Sequence, residues 1–275
     1  MPQPTNLSFW TTQSKTIRGI RLATSQLIFH YVAGDFQGAG VPIERKAEAN
    51  LRTALALFSV LIGRQKSLSA VIPREPINKV VACCRDATVL FLSFARRCGI
   101  PARGHGWLLD HVVAEVWDED EARWRLVDPQ VPQKWTPEVN GVKVDWSWLG
   151  LRDGTLKLDH NRFVVYPNVD IPNLRSWPQI AHNVMQDLAM VNKTEMLLWD
   201  CWDNLSFRNT THGGDLPESE ATLMDEISKI TSPTDIDVKV LQELYQRDGI
   251  RVPPTIHSEN LLVGGREKVD VSHLL

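Results

Sequence analysis

The sequence predicts an α+β protein in which helices lie at both ends of the chain and an antiparallel sheet lies between them. Apolar residues recur every three or four positions before residue 65 and again after residue 177, which is typical of amphipathic helices. Residues 111–128 instead show apolar residues in alternation on either side of an acidic cluster, which indicates a β-hairpin. Because strand and helix patterns do not alternate along the chain, a parallel β/α fold is not expected.

The composition is that of an ordinary globular protein, with 275 residues, of which 43% are hydrophobic and 23% are charged. The formal net charge of −3 predicts binding neither to nucleic acid nor to an anionic membrane. The N-terminal residues lack the pattern of a signal peptide, and no run reaches the about 20 apolar residues of a membrane-spanning helix. Two of the four cysteines are adjacent, which fits a reducing environment, so we expect a cytoplasmic protein.

The N-terminal part, residues 1–65, is predicted to contain two helices, over residues 16–32 and 44–64. A central part follows over residues 66–176. Its last third, from residue 129 onward, is rich in Pro, Trp, Asn and Asp and is predicted to be irregular.

The C-terminal part, residues 177–275, is predicted to be a helical extension that packs on the central part to give one compact unit. Helical spacing extends over residues 179–202, 218–230 and 235–246. The chain after residue 252 is expected to be extended or partly mobile.

The central part begins with a helix that carries a cysteine at its N-terminus. From Cys84 to Cys98 one stripe of residues recurs at steps of three and four, and Gly99 followed by Pro101 ends the helix. The unpaired N–H groups and the dipole of the first turn stabilise an anion, so the thiolate form of Cys84 is favoured there. Arg85 adds a positive charge nearby.

A hairpin follows, with strands predicted over residues 111–117 and 124–128 and a loop over residues 118–121. This loop places residue 117 opposite residue 122, and therefore His111 directly opposite Asp128. Directly opposed Cβ atoms lie about 4.5–5.5 Å apart, which allows a carboxylate to accept a hydrogen bond from an imidazole. Nucleophilic thiol catalysis needs a thiol, a base and a group that orients the base. Cys84, His111 and Asp128 are the candidates for these three roles.

Three blocks of the central part carry a family resemblance. They are Cys84-Arg85-Asp86-Ala87-Thr88 with Gly99-Ile100-Pro101-Ala102-Arg103 at the end of the same helix, Asp110-His111-Val112-Val113-Ala114-Glu115-Val116-Trp117, and Leu126-Val127-Asp128-Pro129. In this order and spacing the sequence resembles the transglutaminase-like superfamily, in particular its bacterial-type cysteine enzymes and proteases. The resemblance covers roughly residues 80–131.

The resemblance implies a papain/transglutaminase-like core, in which a helix bearing the cysteine packs on an antiparallel sheet bearing the histidine and the aspartate. It implies that Cys84 is the nucleophile, His111 the base and Asp128 the orienting carboxylate. The activity would be acyl transfer from an amide or peptide bond through a thioester, ending in hydrolysis or in transfer to an amine. The substrate would be a peptide, a protein or a small amide, with no cofactor and no metal ion.

Two positions depart from the family pattern. Cys83 precedes Cys84 where the family usually has a small or polar residue, and Asp110-His111-Val112 replaces the more usual His-Ala-Trp. Neither departure removes a residue of the triad. They affect the substrate and the local packing instead.

Two other functions stay open from the sequence. A non-catalytic protein with the same fold would bind a partner without using Cys84. A zinc-stabilised structural protein would take its ligands from Cys83, Cys84, Cys98 and His105, although adjacent ligands strain a tetrahedral site. The sequence does not indicate an oligomeric state.

Structural roles are expected for the remaining polar residues and thiols of this region. Asp86 would cap the helix or pair locally and Arg103 would bind substrate, but a structural salt bridge is favoured for each of them. His105 and Asp110 are expected in the strand before the hairpin. The expected core thiols are Cys83, Cys98 and Cys201.

Overall fold

The structure is a computed structural model that describes residues 15–65, 73–106, 111–130, 144–163, 176–202, 216–233, 235–260 and 265–275. The chain divides into two compact units. Unit 1 takes the described residues within Met1–Arg103 and Val112–Gly141, and unit 2 those within Gly104–His111 and Val142–Leu275. The chain therefore passes into unit 2 for eight residues in the middle of unit 1. The three-part division at residues 65 and 176 stays a prediction.

Unit 1 combines helices with short strands. In chain order its elements are α1 (Ile17–Ser25), β1 (Ile28–His30), a 3₁₀ helix (Ile43–Asn50), α2 (Ala54–Arg64), a second 3₁₀ helix (Pro76–Asn78), β2 (Val80–Ala82), α3 (Cys84–Arg97), β3 (Ala102–Gly106), β4 (Val112–Asp118) and β5 (Arg123–Val127). β1 and β2 form a parallel pair, and a second sheet has the order β3-β4-β5. β3 begins in unit 1 and ends in unit 2.

The cysteine-bearing helix and the hairpin are the parts of unit 1 that the sequence predicts well. α3 begins at Cys84 as expected, and Gly99 follows it with a φ of 78°, a left-handed conformation that glycine adopts without strain. β4 and β5 are antiparallel. α3, β4 and β5 contribute to one apolar cluster, for example through Phe91, Ala114 and Val127. The mixed helix and sheet composition is thus confirmed.

The predicted register of the hairpin is wrong by two residues. Trp117 pairs with Trp124 and Asp118 with Arg123, so the turn comprises residues 119–122 rather than 118–121. The Asp118 carboxylate accepts hydrogen bonds from the N–H groups of Asp120 and Glu121, at 3.1 and 3.2 Å, and so closes the turn from within the strand. Asp118, which the sequence predicts in the loop, therefore belongs to β4.

Both predicted N-terminal helices are wrong in part. α1 ends at Ser25, and Ile28–His30 pairs in parallel with Val80–Ala82 instead of continuing the helix. The second helix is interrupted after Asn50, because the Thr53 hydroxyl accepts from the N–H of Ala56 and begins α2 as a new helix.

Unit 2 is mainly helical, and its sheet lies near the end of the chain. Its elements are α4 (Val144–Asp153), a 3₁₀ helix (His160–Arg162), α5 (Ser176–Val191), β6 (Asp200–Cys201), α6 (Glu218–Thr231), α7 (Val238–Tyr245), β7 (Thr255–Asn260), β8 (Gly265–Asp270) and a last 3₁₀ helix (Ser272–Leu274). β6, β7 and β8 form an antiparallel sheet. The core includes Trp148, Leu188, Met224 and Leu244.

The predictions for unit 2 hold in part. Helices α6 and α7 and the extended C-terminal chain are confirmed. The helix predicted over residues 179–202 ends at Val191, and the region predicted to be irregular contains α4. In the described parts of both units, no helix has the length and apolar character needed to cross a membrane.

Candidate functional site

Cys84 is the first residue of α3, and its side chain is buried. The residue before it, Cys83, is the N-cap of the helix and has an extended backbone. The N–H of Cys83 donates a hydrogen bond to Oδ2 of Asp86, at 3.0 Å, so a carboxylate of the first turn reaches back to the cap. Asp86 thus fixes the backbone on either side of Cys84, and its expected capping role is confirmed.

Arg85 and Asp86 form an ion pair with side chains that are both 0% exposed, with Nη1 and Oδ1 2.9 Å apart. The guanidinium also donates to the carbonyl oxygens of Leu51 and Arg52, at 3.3 and 2.6 Å. Burial raises the pKa of the Asp86 carboxyl, although the charge of Arg85 acts in the opposite direction. The positive charge of Arg85 is therefore directed at Asp86 and at the chain between the 3₁₀ helix and α2.

The two adjacent cysteines differ in their electrostatic surroundings. The hydrogen bond with Cys84, together with burial, raises the pKa of the Cys83 thiol well above its usual range. Cys83 accordingly remains a neutral thiol near pH 7. Of the two, Cys84 is the candidate for ionisation.

The start of β4 is hydrogen-bonded to α3 one turn beyond Cys84. Thr88 Oγ1 donates to the carbonyl oxygen of Val112, at 3.1 Å. Thr88 follows Cys84 by four residues and therefore lies on the same side of the helix. Val112 is the residue directly after His111, so the strand that His111 precedes is anchored to α3 close to Cys84.

Asp128 directly follows β5 and is buried. Its Oδ1 accepts from the N–H of Gln130, at 2.8 Å, and its carbonyl oxygen accepts from Nε of Arg21 in α1, also at 2.8 Å. In the observed register, continuation of the ladder beyond Ala114 and Val127 places residue 113 opposite Asp128. The expected direct opposition of His111 and Asp128 is therefore wrong. The offset of two residues leaves the side-chain alternation along each strand unchanged.

The three predicted triad residues do not all belong to the same unit. Cys84 and Asp128 belong to unit 1, and His111 is the last residue of the short stretch of unit 2 that begins at Gly104. Their catalytic roles stay a prediction.

Most of the structural roles that the sequence predicts near the site are confirmed. Arg103 lies 2.6 Å from Glu115 and stacks over the ring of Trp124, at 4.3 Å from the ring centroid. His105 lies in β3, while Asp110 is outside the described residues. Cys83 and Cys201 are buried, and Cys98 is partly exposed.

Sequence reasoning missed Asp187, which holds the end of β3 in unit 2. Its carboxylate oxygens lie 3.1 and 3.2 Å from Nδ1 of His105, and Oδ1 accepts from the N–H of Gly106 at 2.6 Å. Both side chains are 0% exposed. The sequence contains a signal for this role, because Asp187 lies in a helical stretch with apolar residues at 184, 185, 188 and 189, and a buried carboxylate requires a partner.

Within the described ranges, no cluster of three or more His, Cys, Asp or Glu side chains is arranged to hold a metal ion. The zinc ligand set that the sequence left open has Cys83 and Cys84 in unit 1 and His105 in unit 2.

Comparison with known families supports the resemblance. Residues 45–129 match the model of the transglutaminase-like superfamily. The matched segment includes Cys84, His111 and Asp128, and members of that superfamily are generally cysteine hydrolases or acyltransferases. Comparison with curated proteins and with solved structures gives no significant match. Nearly all of unit 2 lies beyond the matched segment.

Proposed function

We propose that this protein is a cysteine-dependent acyl-transfer enzyme that acts on an amide or peptide bond with Cys84, His111 and Asp128 as its triad. The observation that carries the proposal is the hydrogen bond between Thr88 and Val112, which anchors the strand after His111 to α3 one turn beyond Cys84. The location of all three residues within the segment that matches the transglutaminase-like superfamily supports the same assignment.

Cys84 would be the nucleophile. Its sulfur begins α3, where the N–H groups of the first turn stabilise a thiolate. The neutral Cys83 thiol beside it supplies a hydrogen-bond donor to that thiolate, which adds to the stabilisation. The hydrogen bond from the N–H of Cys83 to the Asp86 carboxylate restrains the backbone around the two cysteines.

The reaction would proceed in two steps. The Cys84 thiolate attacks the amide carbonyl, forming a C–S bond, and backbone N–H groups at the start of α3 stabilise the oxyanion. His111 transfers a proton to the leaving amine as the C–N bond breaks, which leaves a thioester on Cys84. His111 then removes a proton from water or from a second amine, which attacks the thioester and releases the acyl group. Asp128 would orient the His111 imidazole throughout.

The first test measures how each cysteine reacts with iodoacetamide as a function of pH, with peptide mass spectrometry to separate the four sites. If the Cys84 thiolate is stabilised, the pH profile of its alkylation rate should have a midpoint at least about one pH unit below ~8.5, the ordinary pKa of a cysteine thiol. At pH 6.5 this corresponds to about tenfold faster alkylation than for a thiol with the ordinary pKa. The rate at Cys98, which is partly exposed, is measured in the same sample for comparison. His111→Gln should return the midpoint toward its ordinary value, and Cys83→Ser should change it less.

The second test looks for the acyl intermediate. The protein is incubated with peptides that carry side-chain amides, and adducts on Cys84 are tested for release by hydroxylamine, which cleaves thioesters. A labile adduct that is absent from Cys84→Ser is expected. If Cys84 reacts no faster than Cys98 and no labile adduct forms, the protein is a non-catalytic binding protein instead.

A further inference from the structure

The main chain of Asp128 is anchored to α1, an element that precedes the matched family segment. Nε of Arg21 donates a hydrogen bond to the carbonyl oxygen of Asp128, with 2.8 Å between the two atoms, and the contact is partly buried. The two residues are 107 positions apart in sequence, and both belong to unit 1. The contact therefore ties the end of β5, where the candidate orienting carboxylate lies, to a helix that the family match does not include.

The carboxylate of Asp128 is restrained as well as its main chain. Its Oδ1 accepts from the N–H of Gln130 at 2.8 Å, so the side chain is tied to the backbone two residues further along. Asp128 is only 5% exposed. Because this turn fixes the carboxylate relative to its own backbone, a contact that holds the backbone also determines where the carboxylate points. Arg21 makes such a contact from outside β5.

α1 packs against α3, the helix that begins at Cys84. Ile20 of α1, Leu90 of α3 and Val127 of β5 are buried in one apolar cluster of unit 1. Since Arg21 follows Ile20 directly, the packing of α1 also places the guanidinium. α1 thus connects the helix that carries the candidate nucleophile with the strand end that carries the orienting carboxylate, and all three elements lie in unit 1.

We propose that Arg21 is a positioning residue of the active site, which holds Asp128 for its role in the triad through the hydrogen bond from Nε to the Asp128 carbonyl oxygen. The inference rests on the proposed triad, and it gives a helix outside the family segment a function in catalysis. Without this hydrogen bond the end of β5 is held less firmly and orients the base less well. The Cys84 thiolate then loses part of its stabilisation.

Three substitutions of Arg21 separate the hydrogen bond from the charge. Arg21→Gln removes the charge but keeps an N–H at the position of Nε, since the glutamine Nε2 is the same number of bonds from the backbone. Arg21→Lys keeps the charge but has a methylene group at that position. Arg21→Met has neither the charge nor the donor. Because the proposed role belongs to the hydrogen bond, Arg21→Gln should have the smallest effect of the three.

The measurement is the pH profile of Cys84 alkylation by iodoacetamide, taken on the full chain below the onset of unfolding of each variant. In Arg21→Met and Arg21→Lys the midpoint should move toward ~8.5, and the rate at pH 6.5 should fall about threefold for each half unit of this shift. The rate at which the labile adduct forms on Cys84 with the side-chain amide peptides should fall in the same two variants.

Two controls on α1 test for an effect that is only structural. Arg18→Met removes an exposed arginine three residues before Arg21 and should change neither the Cys84 profile nor the melting temperature. Ile20→Val shortens a side chain that is 1% exposed, and it should lower the melting temperature without moving the Cys84 midpoint. If Ile20→Val moves the midpoint as far as Arg21→Met does, the role of Arg21 is only structural and the inference is wrong.

The remaining outcomes separate this inference from the proposed function. If His111→Gln moves the Cys84 midpoint and Arg21→Met does not, the triad stands and Arg21 is not a positioning residue. If His111→Gln has no effect, the proposed function fails and this inference fails with it. Equal shifts in Arg21→Gln and Arg21→Met also overturn it, since the hydrogen bond would then not account for the effect. Should Arg21→Met not fold, Arg21→Lys decides, and a wild-type profile in that variant contradicts the inference.

Discussion

At the start of α3 in unit 1 two buried charges that are adjacent in sequence pair with one another, whereas in α5 of unit 2 buried polar side chains hold backbone groups outside their own helix. Arg85 and Asp86 are neighbours in sequence and form their pair at the start of α3. In α5 of unit 2, Gln186 donates to the carbonyl oxygens of Leu197 and Asp200, at 2.9 and 2.8 Å.

The difference indicates what each unit contributes. The attraction within a buried ion pair roughly offsets the cost of desolvating its two charges, so the pair adds little net stability while its hydrogen bonds fix the local geometry. In unit 1 that local structure is the helix start that carries Cys84. In unit 2, by contrast, α5 holds both the segment that follows it and the end of β3, which is distant in sequence.

The largest effect is expected for Arg85→Met, which leaves the buried carboxylate of Asp86 without its charged partner. Loss of one partner of a buried pair costs about 3–5 kcal/mol, and urea unfolding should show a decrease of this size. Hydrogen exchange should locate the loss of protection within residues 45–129.

The control for this variant is Arg123→Met. Arg123 pairs with Glu121 on the surface, with both side chains largely exposed, and an exposed pair contributes little. Equal destabilisation by the two substitutions would contradict a special role for the buried pair and would remove the contrast between the two units.

The sequence was sufficient for α3 and the hairpin because their signals are local. Gly99 and Pro101 end the helix within a few residues, and an acidic turn joins two adjacent strands. The register was not predictable from that signal, because Asp118 hydrogen-bonds to the turn and still pairs with Arg123. The local signal thus indicates which residues form the two strands, but not which residue of one strand pairs with which residue of the other.

Features that depend on distant partners could not be predicted. Residues 28–30 become a strand only because β2, some fifty residues later, pairs with them. Asp187 acquires its role from His105, which is 82 residues away in sequence. The pair of Asp187 with His105 is of this second kind, since hydrophobic periodicity indicates the buried face of a helix and not the partner of a buried carboxylate.

A smaller effect is expected for Glu48→Gln, which tests whether unit 1 depends on charge beyond α3. Glu48 accepts from Arg45, from Arg64 and from the N–H of Val81. Burial alone would raise the pKa of Glu48, but these hydrogen bonds lower it below its usual range. The free energy of unfolding at pH 7, measured by urea denaturation, should decrease by roughly 1.5–3 kcal/mol.

The pH dependence of the Glu48 effect has a defined sign. A carboxyl whose pKa is lower in the folded protein contributes stability above its unfolded pKa of about 4.3, and this contribution disappears as the pH falls through the folded value. The difference between wild type and Glu48→Gln should therefore be constant above pH 6 and shrink below pH ~4. Glu44→Gln, an exposed residue of the same 3₁₀ helix, should show no such difference at any pH.

The smallest effect is expected in unit 2, for Gln186→Met. Methionine fills a similar volume but donates no hydrogen bond, so the carbonyl oxygens of Leu197 and Asp200 lose their donor, at a cost of about 1–2 kcal/mol. Gln179→Met is a matched control, since Gln179 is buried on the same helix but donates to Asn183 one turn further along it. Hydrogen exchange over residues 196–202 should increase in the first variant and not in the second. An equal increase in both would mean that α5 supports this segment through apolar packing, and the contrast with the ion pair of unit 1 would then concern only one residue, Asp187.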